Sequence, residues 1–256
     1  MYFRQILHEE KSCASYLVGC PTLGVCVVVD AQGEPGAYIN QLEQHGLKVS
    51  AVIETHVHAD HLSRAHELRR RTGARLVVPV QSRASFAYTA ARDRDTWGLG
   101  SRAALFTAIH TPGHTAESMC VVLGDRLLFT GDTLFLDGVG RPDLEAGVGE
   151  AEARARDLYR SLRRIRQLPR ETTVLPAHAS AAIPFDGIPL AASMAEIEKR
   201  VANLDRDEEH FVSAILEAIP PAPANFARIV QLNEGGEMPA EDELDLEAGA
   251  NRCAVS

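Results

Sequence analysis

Three imidazoles and a carboxylate fall within six consecutive positions, 56–61, in Thr55-His56-Val57-His58-Ala59-Asp60-His61. Imidazole nitrogen and carboxylate oxygen together suit zinc, iron, manganese or nickel. Packed at one strand end, such groups would repel or need partners, and a single divalent cation satisfies them together. His114 follows in Thr111-Pro112-Gly113-His114-Thr115, where proline and glycine force a tight turn. Asp132 lies in Phe129-Thr130-Gly131-Asp132-Thr133, with Gly131 allowing close approach of a neighbouring backbone. His178 follows Thr172-Thr173-Val174-Leu175-Pro176-Ala177. One histidine alone is more often a satisfied core or surface residue than a ligand. Seven such groups, each after an apolar run, point to a metal centre.

The elements that must position these groups alternate. The β-branched runs at 25–29, 49–53 and 75–79 read as buried strands, and short strands are expected at 2–7 and 15–18. Helical spacing covers 37–45, with Gly46 as its stop, and 63–72, with Ser63 and Gly73 as caps. Residues 104–110 read as a strand, and 118–123 with 126–130 as a hairpin around Gly124-Asp125. Ala151, Ala155, Leu158, Leu162 and Ile165 step by four and three along the clearest helix, which ends before Pro169. A strand at 172–176 then delivers His178. Met194, Ile197, Val201 and Leu204 form one further helical stripe, and Phe211, Ile215, Leu216 and Ile219 another. Residues 81–100 mix Arg92, Asp93, Arg94 and Asp95 with Phe86, Tyr88 and Trp97. Their composition favours a solvated helix and loop over a lid beside the metal.

At 256 residues, with 45% hydrophobic, the chain can bury a substantial core. A formal net charge of −9 argues against nucleic acid, which requires clustered Lys and Arg. It leaves room for an anionic small substrate held by a metal and one or two arginines. No apolar run approaches a membrane span of roughly 20 residues, and the first residues lack the order of a signal peptide. The five cysteines are an odd number without a CxxC pair, which fits a reduced, cytoplasmic protein. Cys13, Cys26 and Cys120 read as small buried hydrophobes. Cys20, beside Pro21, and Cys253, in an acidic tail over 234–256, are expected to be the reactive thiols. That tail is expected to be poorly ordered or wrapped loosely on the surface.

The whole constellation resembles the metallo-β-lactamase fold superfamily over nearly the full chain. The resemblance implies an α/β fold, a four-layer αββα sandwich, spanning 1–233 with a helical segment at 194–233 packed on it. The metal would lie in a cleft between two sheets. In that superfamily a first metal takes positions matching His56, His58 and His114. A second takes those matching Asp60, His61 and His178, and Asp132 bridges.

Two classes within it carry different chemistry. Glyoxalase II-type hydrolases use two metals, commonly Zn(2+), and a hydroxide formed at neutral pH. Persulfide dioxygenases use one Fe(2+) per chain, held by positions matching His56, His114 and Asp132, a facial triad with room for O₂ and a substrate sulfur. Thr130-Gly131-Asp132-Thr133-Leu134-Phe135, Gly140-Arg141-Pro142-Asp143-Leu144 and the segment from Pro223 to Asn233 are similar to the second class. Two departures are noted: no rhodanese domain is expected to follow, and Pro142 stands where many members have Thr.

The resemblance implies oxidation of a low-molecular-weight persulfide, glutathione persulfide above all, with O₂ and water to sulfite and the free thiol. His58, Asp60, His61 and His178 would act around the metal ligands, orienting groups or water. Arg141 and Asp143 are expected to form a buried pair bracing the metal loop. The competing readings are a dizinc thioesterase or lactonase, and a persulfide-sensing binding protein. The partners expected are a persulfide and O₂; a homodimer is also compatible with the composition.

Overall fold

The computed structural model describes residues 1–8, 12–98, 105–147, 149–179, 187–239, 246–247 and 253–255. One sheet comprises β1 (Tyr2–His8), β2 (Cys13–Cys20), β3 (Val25–Val29), β4 (Lys48–Ile53), β5 (Arg75–Pro79) and β6 (Thr89–Ala91), in that order. The pairings β1–β2 and β2–β3 are antiparallel; β3, β4, β5 and β6 run parallel. A second sheet is built from β7 (Thr96–Gly98), β8 (Leu105–His110), β9 (Met119–Leu123), β10 (Leu127–Gly131), β12 (Thr173–Pro176) and β13 (Ala192–Ser193). Here β10 and β12 are the parallel pair. Two short strands, β11 (Val139–Gly140) and β14 (Ala254–Val255), pair antiparallel apart from both.

Strand periodicity explains the layers. Tyr16 and Val18 of β2 face Phe106, Val121 and Phe129 of the second sheet, forming the core between the sheets. Leu17, between them, faces outward and packs with Tyr38 and Leu42 of α1 (Pro35–Glu43) and Leu68 of α2 (Ala65–Thr72). On the other outer face, Ile109, Val122 and Val174 pack against α3 (Glu150–Ile165), α4 (Met194–Arg200) and α5 (Glu208–Glu217). The result is helices, sheet, sheet, helices, the four-layer αββα arrangement expected. The Ala155, Leu158, Leu162, Ile165 stripe is the buried face of α3, as its spacing predicts.

Two features differ from expectation. Residues 81–98 hold no helix; they form β6 and β7 and thereby cross from the edge of one sheet to the edge of the other. Met194 to Leu204 is not one helix but α4 followed by a 3-10 turn at Ala202–Asp205. The helical segment expected at 194–233 includes α6 (Phe226–Gly235), which runs two residues past its bound. No helix among the described residues is long and apolar enough to cross a membrane.

Candidate metal centre

Register places the chemistry at the carboxyl ends of parallel strands, where open α/β sheets present ligand sites. Val29 of β3 pairs with Ile53 of β4, which pairs with Val77 of β5, so these strands finish level. Asp30 and the histidine loop therefore emerge side by side. In the facing sheet Gly131 of β10 pairs with Pro176 of β12, so Asp132 and His178 emerge together. The β8–β9 loop, closed by a hydrogen bond from the Thr111 N–H to the Ser118 carbonyl, adds His114.

The two sheets meet at Gly131. Its φ is +50°, and a Cβ there would stand 2.4 Å from Thr55 Oγ1. Only glycine permits both the left-handed turn and this approach. The Thr55 backbone N–H donates to Asp30 Oδ1 at 2.7 Å, and its hydroxyl lies 3.0 Å from both Asp30 oxygens. The same hydroxyl accepts from His56 Nδ1 at 2.9 Å. His114 Nδ1 donates to the Arg141 carbonyl at 2.8 Å. In both rings the proton is thus placed on Nδ1, leaving the Nε2 lone pair facing the cleft.

What those lone pairs face is each other and Asp132. His114 Nε2 lies 3.5 Å and His56 Nε2 3.8 Å from Asp132 Oδ2. His56 Nε2, His114 Nε2 and Asp132 Oδ1 are buried and without a hydrogen-bond partner. Three orphaned buried atoms of ligand chemistry in one place are what a cation would satisfy. Burial and the neighbouring His58 push the His56 pKa well below its ordinary value, so it is held neutral, as a ligand must be. Burial opposes charge on Asp132, but His178 and His56 overcome this and hold its carboxyl well below the usual range.

The other histidines are engaged differently. His178 Nε2 donates to Asp132 Oδ2 at 3.0 Å and its Nδ1 to the Ala179 carbonyl at 3.2 Å. His61 Nδ1 is 3.0 Å from Asp60 Oδ1, while Asp60 Oδ2 accepts from the Cys13 thiol at 3.3 Å. His58 Nε2 sits 3.4 Å from Asp30 Oδ1 and 3.7 Å from Glu54 Oε2, an electrostatic pairing without hydrogen-bond geometry. Burial pushes the Glu54 carboxyl up to about 7. Of the residues singled out by sequence, His56, His114 and Asp132 converge on one point. His58, Asp60, His61 and His178 surround it, each facing a carboxylate or, for Asp60, a thiol and an imidazole.

Arg141 is 1% exposed and sits at the back of this loop. Its guanidinium grips Asp143 bidentately, Nε to Oδ1 at 2.7 Å and Nη2 to Oδ2 at 2.8 Å, and donates to the Pro221 carbonyl at 3.0 Å. These contacts brace the loop that holds His114, which makes Arg141 a positioning residue. Gly140 completes the brace, since a Cβ there would lie 1.9 Å from the Asp132 carbonyl oxygen.

Cys253 is not an exposed thiol. It is 0% exposed, because β14 pairs with β11 and the Arg141 N–H donates to the Cys253 carbonyl at 2.9 Å. Burial, with Asp60 and Asp132 nearby, raises its pKa well above the ordinary value. A short strand of only two residues gives too little periodicity to reveal this from sequence. Asn233 of α6 was equally hidden. Its Nδ2 donates to the His58 and His61 carbonyls at 2.8 and 2.9 Å, and its Oδ1 accepts from the Ser63 N–H at 2.8 Å. Asp30 had a signal, a carboxylate ending a β-branched run, which the histidine loop overshadowed.

Beside His114 a cleft is walled by Val57, Gln81, Thr115, Leu144 and Val230, and Arg83 and Arg154 also line it. Arg83 is matched there by Glu145 and Glu234, both at 2.6 Å. The stretch from Gln81 to Phe86 thus borders the centre, although it is neither a helix nor simply solvated loop.

Comparison with known proteins agrees with this geometry. The chain belongs to the metallo-beta-lactamase superfamily, whose profile matches residues 9–178, and members of that family are metal-dependent enzymes. A hydroxyacylglutathione hydrolase of Methylobacterium sp. (strain 4-46) is 32% identical over 241 residues, covering 86% of this chain and 88% of the relative. The crystal structure of ETHE1 from Myxococcus xanthus superposes with a TM-score of 0.80 at 32% identity, covering 93% of this chain and all of that one. A metallo-beta-lactamase from Staphylococcus aureus gives a TM-score of 0.84 at 26% identity, covering 94% of this chain and 74% of the other.

Proposed function

We propose that the protein is a persulfide dioxygenase acting at a single ferrous ion held by His56, His114 and Asp132. The observation that carries this reading is the division of the cluster. His56 Nε2, His114 Nε2 and Asp132 Oδ1 are orphaned and converge, whereas Asp60 and both nitrogens of His178 are paired with neighbours; His61 pairs with Asp60 through Nδ1 and keeps its Nε2 orphaned, as His58 does both of its nitrogens. Two imidazoles and one carboxylate leave open positions on one face of an iron. The likeness to ETHE1 over its whole length, with the Gly140-Arg141-Pro142-Asp143-Leu144 loop in place against His114, supports the same class.

Iron held by His56, His114 and Asp132 would supply O₂ activation and an anchor for the terminal sulfur. The chain's own residues do the rest. Thr55 and the Arg141 carbonyl fix the tautomers of His56 and His114. His178 and Asp132 share a proton beside the reacting region. Val57, Leu144 and Val230 provide an apolar wall for the substrate, bordered by Arg83 and Arg154, whose guanidinium groups are paired with Glu145 and Glu234 and with Glu150. The overall change is balanced: persulfide, O₂ and water give sulfite, free thiol and two protons.

A second reading is a dizinc hydrolase of the hydroxyacylglutathione type, favoured by the 32% identity over 241 residues. An oxygen electrode separates the two. Iron-loaded protein given glutathione persulfide should consume one O₂ per sulfite formed. Rapid hydrolysis of a glutathione thioester by zinc-loaded protein, with no persulfide-dependent O₂ uptake by iron-loaded protein, overturns the proposal.

A further inference from the structure

The two halves of the metal centre hang from different sheets, and the last part of the chain touches both. On the side of the histidine loop the Leu62 N–H, one residue past His61, donates to Glu247 Oε1 at 2.6 Å. Leu246 packs on Leu62, Ile229 and Leu232, and its carbonyl accepts from Asn225 Nδ2 at 3.2 Å. On the other side Val255 pairs with Val139 and Ala254 with Gly140, and the Arg141 N–H donates to the Cys253 carbonyl. Val255 is buried in one cluster with Leu134 and Val139. These contacts reach the ligands through the backbone. A Cβ on Gly140 would stand 2.9 Å from His114 Cβ as well as against the Asp132 carbonyl, so β11 presses on both. β11 belongs to neither large sheet: Val139 bridges Leu134 and pairs with Val255 of β14. Leu62 is buried, and a buried N–H that loses its acceptor is costly.

We infer that the C-terminal segment is a strap that positions the metal centre, Glu247 holding the histidine loop and β14 holding β11 behind His114 and Asp132. A metal on His56, His114 and Asp132 fixes both halves at once, and the strap ties the same two halves from behind. Each therefore favours the other, and by the same factor, because coupling between two binding events is reciprocal. Glu247 touches no ligand side chain and acts only through the Leu62 backbone, which makes it a positioning residue. The coupling does not depend on which reaction the centre catalyses.

Hydrogen–deuterium exchange of the wild-type protein, metal-free and loaded with cobalt(II), reads this coupling without any substitution. Amides at Leu246, Glu247 and Cys253 to Val255 should exchange about tenfold more slowly in the loaded form, while those of α1, remote from the centre, exchange alike in both. Substitution gives a second reading. Glu247→Ala should release cobalt to a chelator about tenfold faster and alter its visible absorption. Glu247→Gln keeps an acceptor oxygen for the Leu62 N–H and should restore both. A contact that only adds stability would leave the cobalt spectrum unmoved. Exchange at the strap that is the same in both forms, or slowed no more than in α1, overturns the inference. So does folded Glu247→Ala with wild-type release and absorption; if that variant does not fold, the exchange measurement decides.

Discussion

Asp132 is the carboxylate toward which His56, His114 and His178 all turn. Asp60, also buried, instead faces His61 and Cys13. Their replacement should therefore have unequal effects. Asp132→Ala should remove detectable turnover and most bound metal. Asp60→Ala should retain metal and lose about 10–100-fold in rate, as losses next to a ligand set typically do. Metal analysis beside rate measurement checks this, and equal metal loss in both variants would favour a dinuclear centre. The cysteines give a second test at this scale. Burial pushes the Cys13 and Cys26 thiols up to about 12 and Cys120 to about 11, and Cys253 is raised as well. Only Cys20, partly exposed at the end of β2, should react with iodoacetamide in native protein. Mass spectrometry showing Cys253 labelled at a comparable rate would contradict its burial.

At the scale of elements, long-period signals in the sequence translated directly into structure. The strand runs at 49–53 and 172–176 and the α3 stripe were legible because one face of each is buried and periodicity records that. The seven ligand-type residues were legible for a related reason: they are chemically unlike the apolar runs they follow. The strands β6, β7, β11 and β14 are two or three residues long and were not legible. Their existence depends on partners distant in the chain, as Val139 pairs with Val255. That Asp60 and His178 pair with neighbours while His56 and His114 keep orphaned Nε2 atoms was hidden likewise, since it depends on Thr55, Arg141 and Cys13 making contacts no spacing announces. Asn233 shows what such contacts contribute. Through it α6 holds the histidine loop by three hydrogen bonds. Asn233→Ala leaves three backbone groups to find other partners and should cost about 2 kcal/mol of stability, read by urea denaturation, with faster metal loss to a chelator. Unchanged stability and chelation rate would show the clamp to be idle.

The whole molecule can be read as two sheets closed on a core whose open edge carries opposed charges. In the metal-free protein burial works against the His58, His61 and His178 imidazoliums, but Asp30 with Glu54, Asp60 and Asp132 respectively raise all three pKa values. A histidine raised in the folded state contributes stability that is complete below its unfolded value, about 6.5, and is lost as pH rises through the folded value. His56, depressed by burial, has the opposite sign but stands alone among the resolved imidazoles of the cluster. The melting temperature of metal-free protein should therefore fall as pH rises above about 6.5. Metal-loaded protein should move the other way, because ligation favours neutral imidazoles. Parallel pH profiles for the two forms would contradict this electrostatic account.

Whether one iron sits on His56, His114 and Asp132 is decided by counting metal in protein expressed without added metal and purified without oxygen. Elemental analysis should give one iron per chain, and the same preparation should take up O₂ when given glutathione persulfide. Two zincs per chain, in protein that hydrolyses a glutathione thioester and consumes no O₂ with a persulfide, would contradict it.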